Sequence, residues 1–413
     1  MKKIRTTLLL LLILTQIQAQ ERNIQYFLEQ GMVNSPLLKD YQNQLLSAAI
    51  DSMRLRASYG FLVNGNSTST YAPTIHGYGY DNAISNGAQV SALVSASRLF
   101  VGKRNIENQF RAISLQNETT RNTAAITSQE LKKNITAQYI TAYGDWAQYL
   151  FNQDVLKLLQ EESSLLIQLT RAGTYKQTDY LTFLVTLQQQ ELLVKQLQAQ
   201  YQNNYALLNY LCGLTDTSFH ELPDPVLQPE NIPGPENTIF FRKFQLDSLQ
   251  LKNSDAQIDY NYHPRVSLFA DGGYNSTLAV DPYKNIGISA GVSLTVPIYD
   301  GKQRKMQHDK ITLSEHTRRG YQDFFMQRYR QLIQQLTQQL QAAQQLIDQA
   351  GARIKYAEGL IQANRKLLMS GDVRIADYII AINNYLNAKN IITLNTINKY
   401  QLINQLNYWN RIN

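Results

Sequence analysis

The chain repeats itself once, and the repeat leaves little room for a compact globular domain. Leu99-Phe100-Val101-Gly102-Lys103-Arg104 recurs as Ile298-Tyr299-Asp300-Gly301-Lys302-Gln303, an offset of 199. Ala172-Gly173 with Asp179-Tyr180-Leu181 recurs as Ser370-Gly371 with Asp377-Tyr378-Ile379, an offset of 198. Two offsets that agree within one residue across so long a stretch mark a duplication. Between the halves stand Pro223, Pro225, Pro229, Pro233 and Pro235. Five prolines in thirteen residues cannot continue a helix and read as an extended connector. The organisation expected is a first repeat over 20–222, a linker over 223–236 and a second repeat over 237–413.

Each half has the same order of parts. A helical segment (Gln25–Arg56; Asn237–Tyr260) is followed by two strand-like runs (59–100; 265–298). A very long helix comes next (Lys103–Ala172; Lys302–Ser370), then a glycine-containing break and a further helix (179–212; 375–410). Proline is absent between Pro73 and Pro223 and after Pro297, so nothing interrupts either long helix. At 1.5 Å rise per residue each is on the order of 100 Å long. In the second, Ile333, Leu336, Leu340, Ala343, Ile347, Ala350, Ile354, Ala357 and Ile361 step by three and four in turn. That is a coiled-coil seam, with Ala permitting close approach. In the first, Val155, Leu158, Leu165 and Leu169 keep a similar stripe, interrupted by Glu162. By itself the stripe implies no more than a coiled-coil rod.

The strand-like runs point to a membrane. Over Asn285–Ile298, the residues Ile286, Ile288, Ala290, Val292, Leu294, Val296 and Ile298 share one face, with Gly287, Ser289, Gly291, Ser293 and Thr295 on the other. Such alternation is long for a globular strand and suits a tilted transmembrane one. Arg265–Tyr274 alternates in the same way, and Val90–Ser97 does so more weakly. Tyr59, Phe61, Tyr71, Tyr78, Tyr80, Phe100, Tyr274, Tyr283 and Tyr299 collect at the strand ends, as in an interfacial girdle. Taken alone, the strands also fit a soluble two-layer sheet. If they do lie in lipid, four strands cannot close a barrel and an open edge is forbidden there. Several copies must then share one barrel, and the long helices would extend its lumen as a tube.

Composition agrees with such a conduit. The 413 residues hold 44 Gln and 33 Asn, against 39 Lys plus Arg and 32 Asp plus Glu. An amide-rich, nearly neutral chain suits helices whose wet sides line water without a large fixed charge. Mean hydropathy of −0.34 excludes a helical membrane bundle. Met1–Gln20 has Lys2, Lys3 and Arg5 before the apolar Leu8–Leu14 and the small Ala19, an export signal over 1–19. Without its three cations the formal charge falls from +7 to +4, too small an excess to imply nucleic acid. One cysteine, Cys212, excludes an internal disulfide framework, and its place before Gly213 reads as packing. The five histidines have no metal-ligand spacing; His308 and His316 read as solvated. No phosphate loop, nucleophile elbow or catalytic carboxylate pair is present, so neither an enzyme nor a cofactor or metal is expected.

Val296-Pro297-Ile298-Tyr299-Asp300-Gly301-Lys302-Gln303-Arg304, the two Gly-x5-Asp breaks, and Leu386-Asn387-Ala388-Lys389-Asn390 followed by Tyr400–Asn407 resemble the TolC-like outer-membrane efflux proteins. The ordered set spans nearly the whole chain. The resemblance implies a mixed, mainly α fold: long coiled-coil helices forming an α-helical barrel, plus four transmembrane β-strands per protomer in a shared twelve-stranded barrel of a homotrimer. It implies the outer membrane of a Gram-negative bacterium, with helices reaching into the periplasm. It also implies a passive exit duct for an inner-membrane pump of the resistance-nodulation (RND) or ABC type, joined through a periplasmic adaptor. A duct for protein or peptide secretion, and a non-pore coiled-coil envelope protein, are the competing readings.

The resemblance also assigns residues. Adaptor hairpins would dock at the helix tips, at Gly173, Thr174, Ser370, Gly371 and Asp372. The pore constriction would involve Asp377, Asp179 and Arg374, and the strand-to-helix junctions Pro297, Gly301 and Gly102. Physically, the glycines supply turns free of Cβ strain, and the two aspartates are first-turn acids favoured by the helix dipole. Three Asp377 carboxylates in a ring would favour cations and raise each other's pKa. Two positions depart from the family pattern: Ile380 stands where a second acid is expected, and Val373 where an Arg is, with Arg374 beside it.

Overall fold

A computed structural model describes residues 22–79, 87–216, 218, 220–278 and 281–411. The expected export signal and Tyr80 lie outside the described residues. In chain order the elements are α1 (Ile24–Asn34), α2 (Pro36–Ser58), β1 (Leu62–Ala72), β2 (Gly87–Phe100), α3 (Lys103–Arg171), α4 (Gln177–Leu211), α5 (Ile239–Asn261), β3 (Arg265–Ser276), β4 (Ile286–Thr295), α6 (Gln303–Ser370) and α7 (Ile375–Tyr408). Short 3₁₀ turns at Pro235–Asn237 and Pro282–Lys284 complete the described set.

Two departures from the expected elements have the same cause. The segment Gln25–Arg56, read as one helix, is two. Ser35 adopts an extended backbone and closes α1 with its N–H on the Gly31 carbonyl (3.1 Å), and Pro36 opens α2. Proline restricts the residue before it and has no N–H to continue a ladder. The fourth strand stops at Thr295 rather than Ile298 because Pro297 has no N–H to give to a neighbour.

The strands form one antiparallel sheet in the order β1-β2-β3-β4. The two halves of the chain meet at β2 and β3, where Ala96 lies opposite Ala270. One face of β4 is apolar and open: Ile286, Ile288, Val292 and Leu294 are all exposed, Ile288 at 93%. On the small-residue face Gly291 sits opposite Phe269, and a Cβ there would come within 2.5 Å of the ring. At the strand ends Tyr71, Tyr78, Tyr283 and Tyr299 are exposed. Arg98 lies over the rings of Phe61 and Phe100.

The chain divides into two compact units that cut across the repeat, each drawing on both halves. One holds Asp40–Thr123 and Phe241–Phe324, and with them the sheet; the other holds the segments through Lys39, Ala124–Phe240 and Phe325 onward. In the second unit the seam of α6 is a heptad. Leu336, Ala343, Ala350 and Ala357 are buried, and Leu336 and Ala343 pack with Leu402 and Leu406 of α7. Each fully buried Leu contributes roughly 2 kcal/mol of transfer free energy. Gln334, Gln335, Gln338 and Gln339, beside this seam, are exposed.

Other amides are interior ties instead. Gln190 donates to Asn152 Oδ1 at 2.9 Å, both residues being buried. Gln200 (2.7 Å) and Asn204 (2.5 Å) donate to the buried Asp145, where burial raises the carboxyl pKa and the two amides oppose it. The proline-rich connector is fastened the same way. Tyr139 donates to Pro223 O at 2.7 Å, Tyr400 and Tyr143 donate to Asp224, and Tyr329 donates to Pro233 O at 2.9 Å. Cys212 packs in the core with Phe27, Tyr139 and Tyr205, and burial pushes its thiol up to about 12.

Candidate functional site

The two helix-to-helix turns that the duplication singled out have the same backbone. In the first, Gly173 has φ +82°, its N–H meets Thr170 O at 3.1 Å and the Thr174 N–H reaches back to Leu169 O at 3.0 Å. In the second, Gly371 has φ +81°, with N–H bonds from Gly371 to Leu368 O (3.3 Å) and from Asp372 to Leu367 O (3.0 Å). Both glycines therefore close a helix in the left-handed conformation that a Cβ disfavours. Lys176 and Arg374, also offset by 198, then precede α4 and α7 with extended backbones (ψ 147° and 143°), and neither side chain caps its helix.

The turns pack against each other. The Tyr175 hydroxyl lies 2.9 Å from both the Leu368 and Val373 carbonyls and donates to that pair. The methyl of Thr174 lies 2.9 Å from where a Cβ on Gly371 would stand. Below them Val155, Leu159, Leu166, Phe183, Leu368, Ile375, Tyr378 and Ile382 form one core. Gly173, Thr174, Ser370, Gly371 and Asp372 are all exposed. Ser370 Oγ is 2.6 Å from Asp372 Oδ2 and 3.1 Å from Leu367 O.

Glu162, the acid that interrupts the stripe of α3, is fully buried in this region. Its Oε1 lies 2.6 Å from Arg365 Nε of α6. The contact is an ion pair, and the buried Tyr378 hydroxyl lies beside the same carboxylate and favours its charged form. Burial pushes the Glu162 carboxyl up, and Arg365 pulls it back.

Arg374 and Asp377 form a two-pronged pair within one chain. Nε meets Oδ2 and Nη2 meets Oδ1, each at 2.9 Å. The guanidinium holds the Asp377 carboxyl below its ordinary value. Arg374 is 83% exposed, Asp377 37%. Among the described residues Lys176 and Asp179, at the matching positions of the first turn, make no such pair. Ile380 is exposed, and Val373 lends its carbonyl to Tyr175.

The junction residues lie in the unit that holds the sheet. Gly301 takes φ +66° and Lys302 +67°. Asp300, not singled out from sequence, caps α6: its carboxylate accepts from the Lys302 N–H (2.9 Å) and the Arg304 N–H (2.7 Å). Gly102 accepts the Asn105 N–H at 2.9 Å, and Val101 stands where Asp300 does at the second junction. His308 is not simply solvated. Asp255 (2.6 Å) and Asp259 (3.0 Å) of α5 hold its two ring nitrogens, and both raise its pKa, with Asp255 the larger influence. The signal was its spacing from Arg304, which also pairs with Asp259 (2.7 Å). Among the described residues no group of three or more acid, His or Cys side chains is placed to hold a metal.

No family model and no curated protein matches the chain. Solved structures do. The outer membrane protein VceC of Vibrio cholerae is 13% identical, with a TM-score of 0.76 over 94% of this chain and 96% of that one. The CmeC outer membrane channel of Campylobacter jejuni is 13% identical, with a TM-score of 0.74 over 95% and 86%. The MtrE outer membrane channel of Neisseria gonorrhoeae, in its open state, is 11% identical, with a TM-score of 0.72 over 94% and 88%. The chain has the fold of these channels along nearly its whole length, the fold that the resemblance to TolC-like proteins implies.

Proposed function

We propose that the chain is the outer-membrane exit duct of a tripartite efflux pump in a Gram-negative bacterium. The observation that carries this reading is the four-stranded sheet with an exposed apolar face, in a chain that shares its fold with outer-membrane channels. In this reading the strands make the crossing; among the described residues no helix is long and apolar enough to cross a membrane. Their 10 to 14 residues suit a tilted span. An open edge is not tolerated in lipid, and three copies would pair β1 with β4 into a closed twelve-stranded barrel. The helices carry the lumen onward, and the chain does no chemistry of its own.

In this reading the exposed turn residues Gly173, Thr174, Ser370, Gly371 and Asp372 receive a periplasmic adaptor. Asp377, Asp179 and Arg374 lie at the constriction beside it, and an inner-membrane pump of the RND or ABC type supplies the energy. The decisive experiment is fractionation followed by reconstitution. The protein is expected in outer-membrane fractions as a trimer that dissociates on heating and conducts ions in planar bilayers. A soluble monomer without conductance would overturn the proposal. Loss of resistance to toxic compounds on deletion, with protein secretion intact, is the expected mark of efflux.

A further inference from the structure

Resting on the duct reading above, we propose that the constriction at the helix tips carries no net charge, because Arg374 cancels Asp377 in every protomer. Anionic and zwitterionic solutes then pass it as readily as cationic ones. Arg374 is thus the residue that sets the charge specificity of the pore.

The geometry makes the pairing a property of one chain. Arg374 stands immediately before α7 with an extended backbone and Asp377 lies in the first turn, so the side chains meet three residues apart on one surface. The two 2.9 Å contacts are the parallel, two-pronged arrangement that fixes a guanidinium on a carboxylate. So exposed a pair adds little stability, but the cancellation does not depend on its strength. It requires only that both charges sit at the same level, within a Debye length of about 8 Å at physiological salt. A bare ring of three carboxylates would concentrate cations; a ring of three Arg–Asp pairs presents dipoles.

The surrounding charges do not restore an acidic field. Across residues 171–179 and 370–377, Arg171, Lys176 and Arg374 balance Asp179, Asp372 and Asp377. Lys176 and Asp179 repeat the cation-then-acid order of Arg374 and Asp377 three residues apart. Further along α3, beneath the turns, Glu162 is fully buried on Arg365 and faces no solvent, while its neighbour Glu161 is exposed outside the two turns.

The test is the potassium-to-chloride permeability ratio of the purified full-length protein in planar bilayers under a KCl gradient. Wild type is expected near unity and insensitive to millimolar Mg²⁺. Arg374→Gln, which bares the acidic ring, is expected to raise the ratio about tenfold and to introduce Mg²⁺ block, as a focused potential of a few kT would. Asp377→Asn is expected to shift the ratio toward chloride, and the exchange Arg374→Asp with Asp377→Arg to return it toward unity. A conducting wild type that is strongly cation-selective, or a ratio unmoved in both single variants, overturns the charge cancellation while leaving the duct standing. Absence of conductance in the wild type overturns the duct reading and this inference with it.

Discussion

The two helix tips share a backbone and differ in almost every side chain that matters. Gly173 and Gly371 turn at the same φ with the same pattern of returning N–H groups. Yet the first tip reaches out while the second receives. Thr174 and Tyr175 extend from the first onto Gly371 and onto the carbonyls of Leu368 and Val373. Glu162 of α3 is met by Arg365 of α6, whereas Leu360, at the matching offset of 198 from Glu162, is exposed. Only the second tip closes its cation on its acid. The two turns thus share a backbone, while their side chains are complementary rather than alike. A turn depends on one glycine; a contact between turns depends on residues that must differ.

Breaking the buried pair should have the largest effect. Arg365→Ala leaves the Glu162 carboxylate buried without its cation. The cost is about 3 kcal/mol, toward the low end for such a loss because Arg365 is half exposed. The pH dependence has a defined sign. Burial raises the folded-state pKa of Glu162, so the folded form holds the proton more tightly than the unfolded one. The penalty should therefore be full above the folded pKa and shrink as pH falls through it. Thermal unfolding of the purified protein between pH 7 and pH 4 measures this, and adding Glu162→Gln to Arg365→Ala should restore most of the loss at pH 7. A loss that is independent of pH and not rescued would remove Glu162 from the account.

The glycine comparison is next in size. Either glycine changed to Ala meets the left-handed backbone, at a cost of about 1 kcal/mol. Around Gly173 there is open space, but a Cβ on Gly371 also meets the Thr174 methyl at 2.9 Å. Gly371→Ala should therefore lower the melting temperature more than Gly173→Ala. Thr174→Ser, which removes that methyl, should bring the two losses together. Equal losses with Thr174 intact would mean that the turns do not press on each other. Tyr175→Phe removes a half-buried hydroxyl from two carbonyls and should cost about 1 kcal/mol, a loss that Tyr180→Phe should not reproduce.

Much of this fold was legible because it is periodic. The step of three and four in α6 marked Leu336, Ala343, Ala350 and Ala357, and the alternation from Ile286 to Leu294 marked the exposed face of β4. Both signals come from one element facing one environment. What escaped was pairwise. Glu162 read as an interruption of a stripe, since nothing in α3 says that Arg365, some two hundred residues later, completes it. His308 read as solvated because its partners Asp255 and Asp259 lie on α5. Pro36 was a local signal that a long helical pattern obscured. Arg374 and Asp377 stand together in the constriction set that the resemblance assigns, but their mutual pairing appears only once the start of α7 brings the two side chains together.

The smallest effect on stability belongs to that pair, and its smallness sharpens the contrast between the tips. Arg374→Gln releases an exposed carboxylate into water instead of stranding a buried one, so the melting temperature at neutral pH should stay at the wild-type value. Arg374 holds the Asp377 pKa down. Whatever the pair contributes is present above the ordinary aspartate range and is lost as pH falls through the lower folded value. Any difference between variant and wild type should therefore close on acidification and also fade with added salt. Arg365→Ala, tested alongside, should show a large loss that salt barely changes. If Arg374→Gln instead unfolds the tip as Arg365→Ala does, then Arg374 is a structural cap of α7 and the two turns differ less than their side chains suggest. If stability is untouched while ion selectivity moves, the second tip keeps one arginine for packing and another for the field of the pore.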